Sequence, residues 1–160
     1  MKLNRKQIIK IQKNRDTYLL MDYATKVVPG KIAEGFKQLS DNEWFFDVHW
    51  PGDPNMPGML QIEALVQMAS LSILTLPNNK GKIMYLISAD KLIFKKKIVP
   101  FSKFEIKTEV ISWKRGIGKF KGVGLINSEL CCNAEFSLIL PDEIKQFNIK
   151  ESAETVAFRT

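Results

Sequence analysis

The chain has 160 residues, 45% hydrophobic and 26% charged, and its 24 Lys and Arg against 17 Asp and Glu leave a net charge of +7. That is the composition of a globular protein rather than a disordered one, and the length fits one domain with a sizeable core. The two cysteines, Cys131 and Cys132, are adjacent, which excludes a disulfide framework, and one histidine without a spaced cysteine pair leaves a zinc site unsupplied.

The first six residues are basic, but Lys10 and Lys13 interrupt the apolar run that a secretion signal needs, so no signal is expected and the predicted location is cytoplasmic. Ile8 to Ile11 predicts a short first helix, ending before the polar run Lys13 to Asp16. Tyr18 to Val28 and Lys31 to Leu39 read as strands around a turn at Val28-Pro29-Gly30. Trp44 to Trp50 is another apolar run, read as a strand that His49 ends. Pro51 to Gly58 is too rich in Pro and Gly to be anything but loop. Met59 to Leu76 is predicted as a helix. It nears the ~18 apolar residues of a membrane span. Gln61, Glu63 and Gln67 argue instead for a buried helix, and no membrane partner is expected. Strands are predicted at 83–92, 104–113, 116–126 and 129–140. The domain is placed at 1–140, with a polar C-terminal extension at 141–160.

Leu60, Ile62, Leu65, Met68, Leu71 and Leu74 fall on every side of that helix. A helix apolar all round is buried all round. One such helix among antiparallel strands implies an α+β hot-dog fold, a sheet wrapped around a single long helix, whose edge strands commonly pair across a dimer.

Two residues stand out for chemistry. His49 is the only histidine, beside a rigid loop, and Glu63 lies in the first turns of the apolar helix. Taken alone, each has a plain structural reading: a histidine that serves packing, and a carboxylate that complements the helix dipole. Burial would raise the Glu63 pKa and suit it as a general acid, with an imidazole as the matching base. Gly58 leaves a backbone N–H at the helix start that could polarise a carbonyl.

The stretch Phe45 to Gln67, FFDVHWPGDPNMPGMLQIEALVQ, resembles the signature F-F-x-G-H-F-P-x-x-P-x-M-P-G-x-L-x-x-E-x-x-x-Q of the (3R)-hydroxyacyl-acyl-carrier-protein dehydratases of the FabZ type. The histidine-to-glutamate spacing matches without a gap. Tyr18 to Asp22 and Phe94 to Pro100 extend the similarity. The resemblance implies that His49 takes the C2 proton of a 3-hydroxyacyl thioester and that Glu63 protonates the departing hydroxyl. Gly58 N–H would hold the thioester carbonyl, with Val48, Trp50 and Pro57 beside the substrate. It also implies a homodimer with shared active sites, usually three such dimers in a hexamer. No metal or organic cofactor is implied, since the substrate arrives on the phosphopantetheine of acyl carrier protein. Glutamate rather than aspartate at 63 points to dehydration without isomerisation.

Several positions depart from the pattern. Val48 replaces a glycine, Trp50 a phenylalanine, Asn14 a histidine and Ile98 a proline, while Phe101-Ser102 replace a Gly-Asp turn. These departures point away from housekeeping fatty acid elongation, toward a pathway-specific paralogue. The positive charge suits an acidic acyl carrier protein, with Lys95, Lys96 and Lys97 as the candidate docking patch. No nucleic-acid signature accompanies the lysines, and none is expected as a partner. Two rivals share the fold: a coenzyme A-linked hydratase or dehydratase, and a non-catalytic acyl-chain-binding subunit.

Overall fold

A computed structural model describes residues 1–144 of the protein. Its centre is helix α3, Gly58–Leu74, in which 13 of 17 residues are buried. The expected all-round burial holds from Gln61 onward for every residue but Glu63. The first turn is more open, with Met59 largely exposed. The buried serines of α3 satisfy themselves locally: Ser70 Oγ donates to the Gln67 carbonyl and Ser72 Oγ to the Ala69 carbonyl, both at 2.7 Å. Past its end, Asn79 Nδ2 donates to the Ile73 carbonyl, one of the acceptors a helix terminus leaves unpaired.

The sheet that curls around α3 is antiparallel throughout. Its strands are β1 (Leu3–Asn4), β2 (Tyr23–Val28), β3 (Ile32–Gln38), β4 (Tyr85–Phe94), β5 (Lys103–Lys114), β6 (Ile117–Ile126) and β7 (Glu129–Ile139). They run in the order β1-β2-β3-β5-β6-β7-β4, which makes β4 an edge strand among the described residues. Helix α3 packs on β2, β3, β5, β6 and β7, and its Leu65 rests against Gly122 of β6. Phe104, Phe120 and Phe136 add the largest buried side chains of the sheet. The turn between β2 and β3 docks on the helix, with Gly30 N–H donating to the Ser72 carbonyl at 2.7 Å.

The first helix, α1, runs over Arg5–Ile11 and opens with a capping box between Asn4 and Gln7. The first long strand begins at Tyr23, not at Tyr18 as the sequence predicts. Arg5 explains the difference: its guanidinium donates to the carbonyls of Asp16, Leu19 and Met21 and to Asp22 Oδ1. With the 3₁₀ turn at Asp16–Tyr18, these bonds hold the segment against Arg5 rather than in the ladder, and pairing with β3 begins only with Asp22 N–H to the Phe36 carbonyl. A second correction concerns Trp44–His49, which is helix α2 rather than a strand. Phe45 and Phe46 are both buried. Adjacent strand residues would point to opposite faces, whereas about 100° of helical rotation lets both enter the core. The strand expected at 83–92 is shifted to Tyr85–Phe94. Of the predicted extension, Pro141–Glu143 form a 3₁₀ turn against Gly116, and 145–160 lie outside the described residues.

At Gly35 strand β3 comes close to both β2 and the helix. A Cβ there would lie 2.1 Å from the Tyr23 carbonyl oxygen and 2.7 Å from the Met68 methyl. Backbone cannot yield as a side chain can, so Gly35→Ala is expected to destabilise the fold by about 3 kcal/mol, the upper part of the usual overpacking range. Thermal or urea unfolding of the variant checks this.

Candidate active site

His49 ends helix α2, four residues after the buried Phe45, and that spacing keeps its ring on the inward side. Its Nδ1 lies 2.9 Å from the backbone carbonyl of Asn55. A carbonyl only accepts, so Nδ1 carries the proton and the neutral ring leaves Nε2 as the free base. Trp50 stacks on the imidazole, with ring centroids 4.8 Å apart and planes 18° from parallel. The Asn55 carbonyl is itself held in place. Met56 N–H donates to the Ile98 carbonyl at 2.8 Å, and Gln61 Nε2 donates to the Met56 carbonyl at 2.9 Å. A loop rich in Pro and Gly is thereby fixed against the helix and the 98–100 segment.

Glu63 is part-buried on α3. Its Oε1 accepts from Gln67 Nε2 at 3.0 Å, one helical turn on. Gln67 also donates to the Tyr18 carbonyl and accepts from Leu20 N–H, each at 2.9 Å. One buried amide thus ties the 18–20 segment to the helix and orients the carboxyl. Burial pushes the Glu63 pKa upward, and the Gln67 hydrogen bond pulls partly the other way. Tyr18 is also raised, first by burial and then by the Glu63 charge. Gln67 stands in the motif, yet the sequence reading assigns it no role. Its i, i+4 spacing from Glu63 was the available signal.

His49 and Glu63 do not meet within one chain. His49 lines a cavity of about 450 Å³ with Trp50, Asn55, Gly58, Gln61 and Phe94. Glu63 lines another of about 320 Å³ with Lys13, Gln67, Lys82, Tyr85 and Leu86. The lining residues of the two cavities do not overlap. Helix geometry accounts for the separation: Gly58 and Gln61 are one turn apart, while Glu63 is about 200° of rotation beyond Gln61.

Gly58 opens α3 on the His49 side, where the Phe94 ring covers it so closely that a Cβ would lie 2.9 Å away. Pro57 precedes the helix, and its carbonyl accepts from Leu60 and Gln61 N–H at 3.0 Å. Val48 is largely exposed on α2, not against the cavity. Lys95, Lys96 and Lys97 all line the His49 cavity, but they follow β4 instead of alternating within it. Lys96 pairs with Glu129 and Lys97 with Asp53, so Lys95 is the one of the three without an ion pair among the described residues. Both cysteines are buried, and burial pushes the Cys132 thiol up to about 12, which keeps it unreactive. Among the described residues no group of three or more His, Cys, Asp or Glu is gathered for a metal. Nor is any described helix long and apolar enough to cross a membrane.

An antiparallel sheet wrapped around one buried helix defines the hot-dog class, and a FabA-like domain matches residues 13–135. The chain belongs to the FabZ dehydratase family. It is 41% identical over 140 residues to the 3-hydroxyacyl-[acyl-carrier-protein] dehydratase FabZ of Syntrophomonas wolfei, covering 88% of this chain and 97% of that protein. It is 36% identical over 138 residues to the Bacillus subtilis FabZ, covering 86% and 98%. Among solved structures, the dehydratase heterocomplex ApeI:P of Xenorhabdus doucetiae superposes with a TM-score of 0.74 over 93% of this chain and 96% of that one. At 12% identity, that likeness speaks for the fold alone.

The raised Glu63 pKa has a consequence for stability. The folded chain holds this proton above the ordinary value of 4.5, so stability falls as pH rises from there through the folded value. Glu63→Gln removes the ionisable group and keeps a partner for Gln67. It is expected to raise Tm at neutral pH and to lose that advantage below pH 4.5, as melting curves at both pH values would reveal.

Proposed function

We propose that the chain dehydrates (3R)-hydroxyacyl thioesters on acyl carrier protein to trans-2-enoyl thioesters. The observation that carries this reading is the complementary pair in the family motif: an imidazole with Nε2 left free and a carboxyl whose burial favours its protonated form. His49 Nε2 takes the C2 proton, and the C2 electron pair becomes the C2=C3 bond as the C3–O bond breaks. Glu63 gives its proton to the leaving hydroxyl, so water departs, and the imidazolium then returns a proton to the carboxylate. Gly58 N–H stabilises charge on the thioester oxygen, helped by the start of α3. No cofactor enters these steps, and the cytoplasm is the fitting location.

The site would be completed by a second copy. His49 and Glu63 line different cavities, and the Glu63 cavity includes Tyr85 and Leu86 of edge strand β4. Tyr85, Leu86, Ile87, Ile93 and Phe94 are all exposed on that strand in the single chain, an apolar edge that a two-fold partner would cover. Such dimers would assemble in threes. Lys95 lines the His49 cavity without an ion pair among the described residues, a charge that would suit the phosphate of a phosphopantetheine arm. That phosphate is common to carrier protein and coenzyme A, so carrier preference is read from activity.

Hydration of trans-2-enoyl groups on both carriers, followed by loss of ultraviolet absorbance, is expected to run in the native chain. His49→Ala and Glu63→Gln should each slow it by about 10²–10⁴. Mixing the two inactive variants should restore about a quarter of native activity, because half the dimers formed would carry one intact shared site. No recovery would place both residues in one chain's site. Separately, Ile87→Lys on the β4 edge is expected to convert the dimer to monomer in sedimentation and to abolish turnover.

A further inference from the structure

Asn55 and Gln61 both line the His49 cavity, and each carries a buried side-chain oxygen with no hydrogen-bond partner among the described residues. Buried acceptors are normally paired, so two orphans beside one cavity call for an explanation. Gln61 is 3% exposed. Its amide orientation is set by its neighbour: Nε2 must face the Met56 carbonyl, which cannot donate, and Oε1 is therefore the unpaired end. Asn55 differs in one useful way. Its backbone carbonyl holds His49, whereas its side chain makes no hydrogen bond among the described residues.

These oxygens sit among the groups placed for chemistry. Asn55 is the residue that orients the imidazole, and Gln61 follows Gly58 by one helical turn. What they lack is a donor. A thioester group has none, but a 3-hydroxyacyl chain on a phosphopantetheine arm brings two kinds close to the reacting carbons: the 3-hydroxyl and the amide N–H groups of the arm.

We propose that Asn55 Oδ1 and Gln61 Oε1 form an acceptor pair that takes an O–H or N–H donor of the thioester substrate. The proposal rests on the dehydratase reading for the substrate's class, and it makes both residues determinants of substrate binding. The two positions are unassigned in the motif, so the sequence pattern does not signal them.

The test uses Asn55→Val, which deletes the orphaned oxygen and keeps the backbone carbonyl that holds His49. Gln61→Met is the second variant, and thermal melting checks that both fold. Each is placed in a Glu63→Gln background so that ligands do not turn over, and Kd is measured for four thioesters. These are 3-hydroxyacyl and trans-2-enoyl groups, each on N-acetylcysteamine, which has an amide, and on a plain alkyl thiol, which has none. A loss of about tenfold, the size of one neutral hydrogen bond, is expected only for ligands carrying the relevant donor. Loss that follows the hydroxyl identifies the 3-hydroxyl as the source, and loss that follows the amide identifies the arm. Equal loss for all four ligands, including the donor-free one, overturns the proposal, as does no loss or no binding for any. Turnover by the native chain is assayed separately, so a failure of the dehydratase reading is not mistaken for a failure of the acceptor pair.

Discussion

Burial of α3 on all sides is the constraint on which the rest of the molecule depends. No flat sheet covers a helix whose apolar residues face every direction, so the strands must curl around it. Small residues make that possible: Gly35 lets β3 and Met68 close up, and Gly122 receives Leu65. Once α3 is locked, its rotation about its own axis is locked too. Gly58 and Gln61 then face one cavity and Glu63 the other, with Gln67 as the strut that keeps the Glu63 side in register with residues 18–20.

His49 is held on a different principle. Helix α2 has only six residues and no side-chain cap at its start, so it draws its stability from Phe45 and Phe46 in the core. The loop after it supplies one carbonyl, from Asn55, that selects the tautomer of His49. That carbonyl is fixed through Met56, and Met56 through Ile98 and Gln61. A rigid loop, not a regular element, therefore sets the direction of the His49 ring, with the precision that the proposed proton transfer needs.

The departures from the family pattern become physical in this setting. Trp50 lies flat on the imidazole, a broader surface than phenylalanine would offer. Phe101, standing where a Gly-Asp turn is usual, adopts a left-handed φ of 64° that favours glycine, and it is among the most exposed apolar side chains. Ile98 replaces a proline and is fully buried, with its carbonyl serving the loop that carries Asn55. None of these changes touches the Nδ1 hydrogen bond of His49 or the Gln67 strut of Glu63.

The hot-dog fold was legible because an all-round apolar helix between runs of strand admits few other arrangements, and His49 and Glu63 stood out as candidates because a long motif fixes both residues and their spacing. Three features were not. Trp44–His49 reads as a strand because six residues hold too few turns to display helical period, and only the burial of adjacent Phe45 and Phe46 decides for helix. That the exposed apolar residues of β4 lie on a sheet edge follows from strand order, which apolar pattern alone does not carry. The carbonyl that orients His49 belongs to the backbone, which carries no residue signature. Sequence alone thus determined which side chains are available and how far apart they lie along the chain. Their separation into two cavities was decided by tertiary structure, since the rotation of a buried helix is set by packing around it and not by the spacing of residues on it.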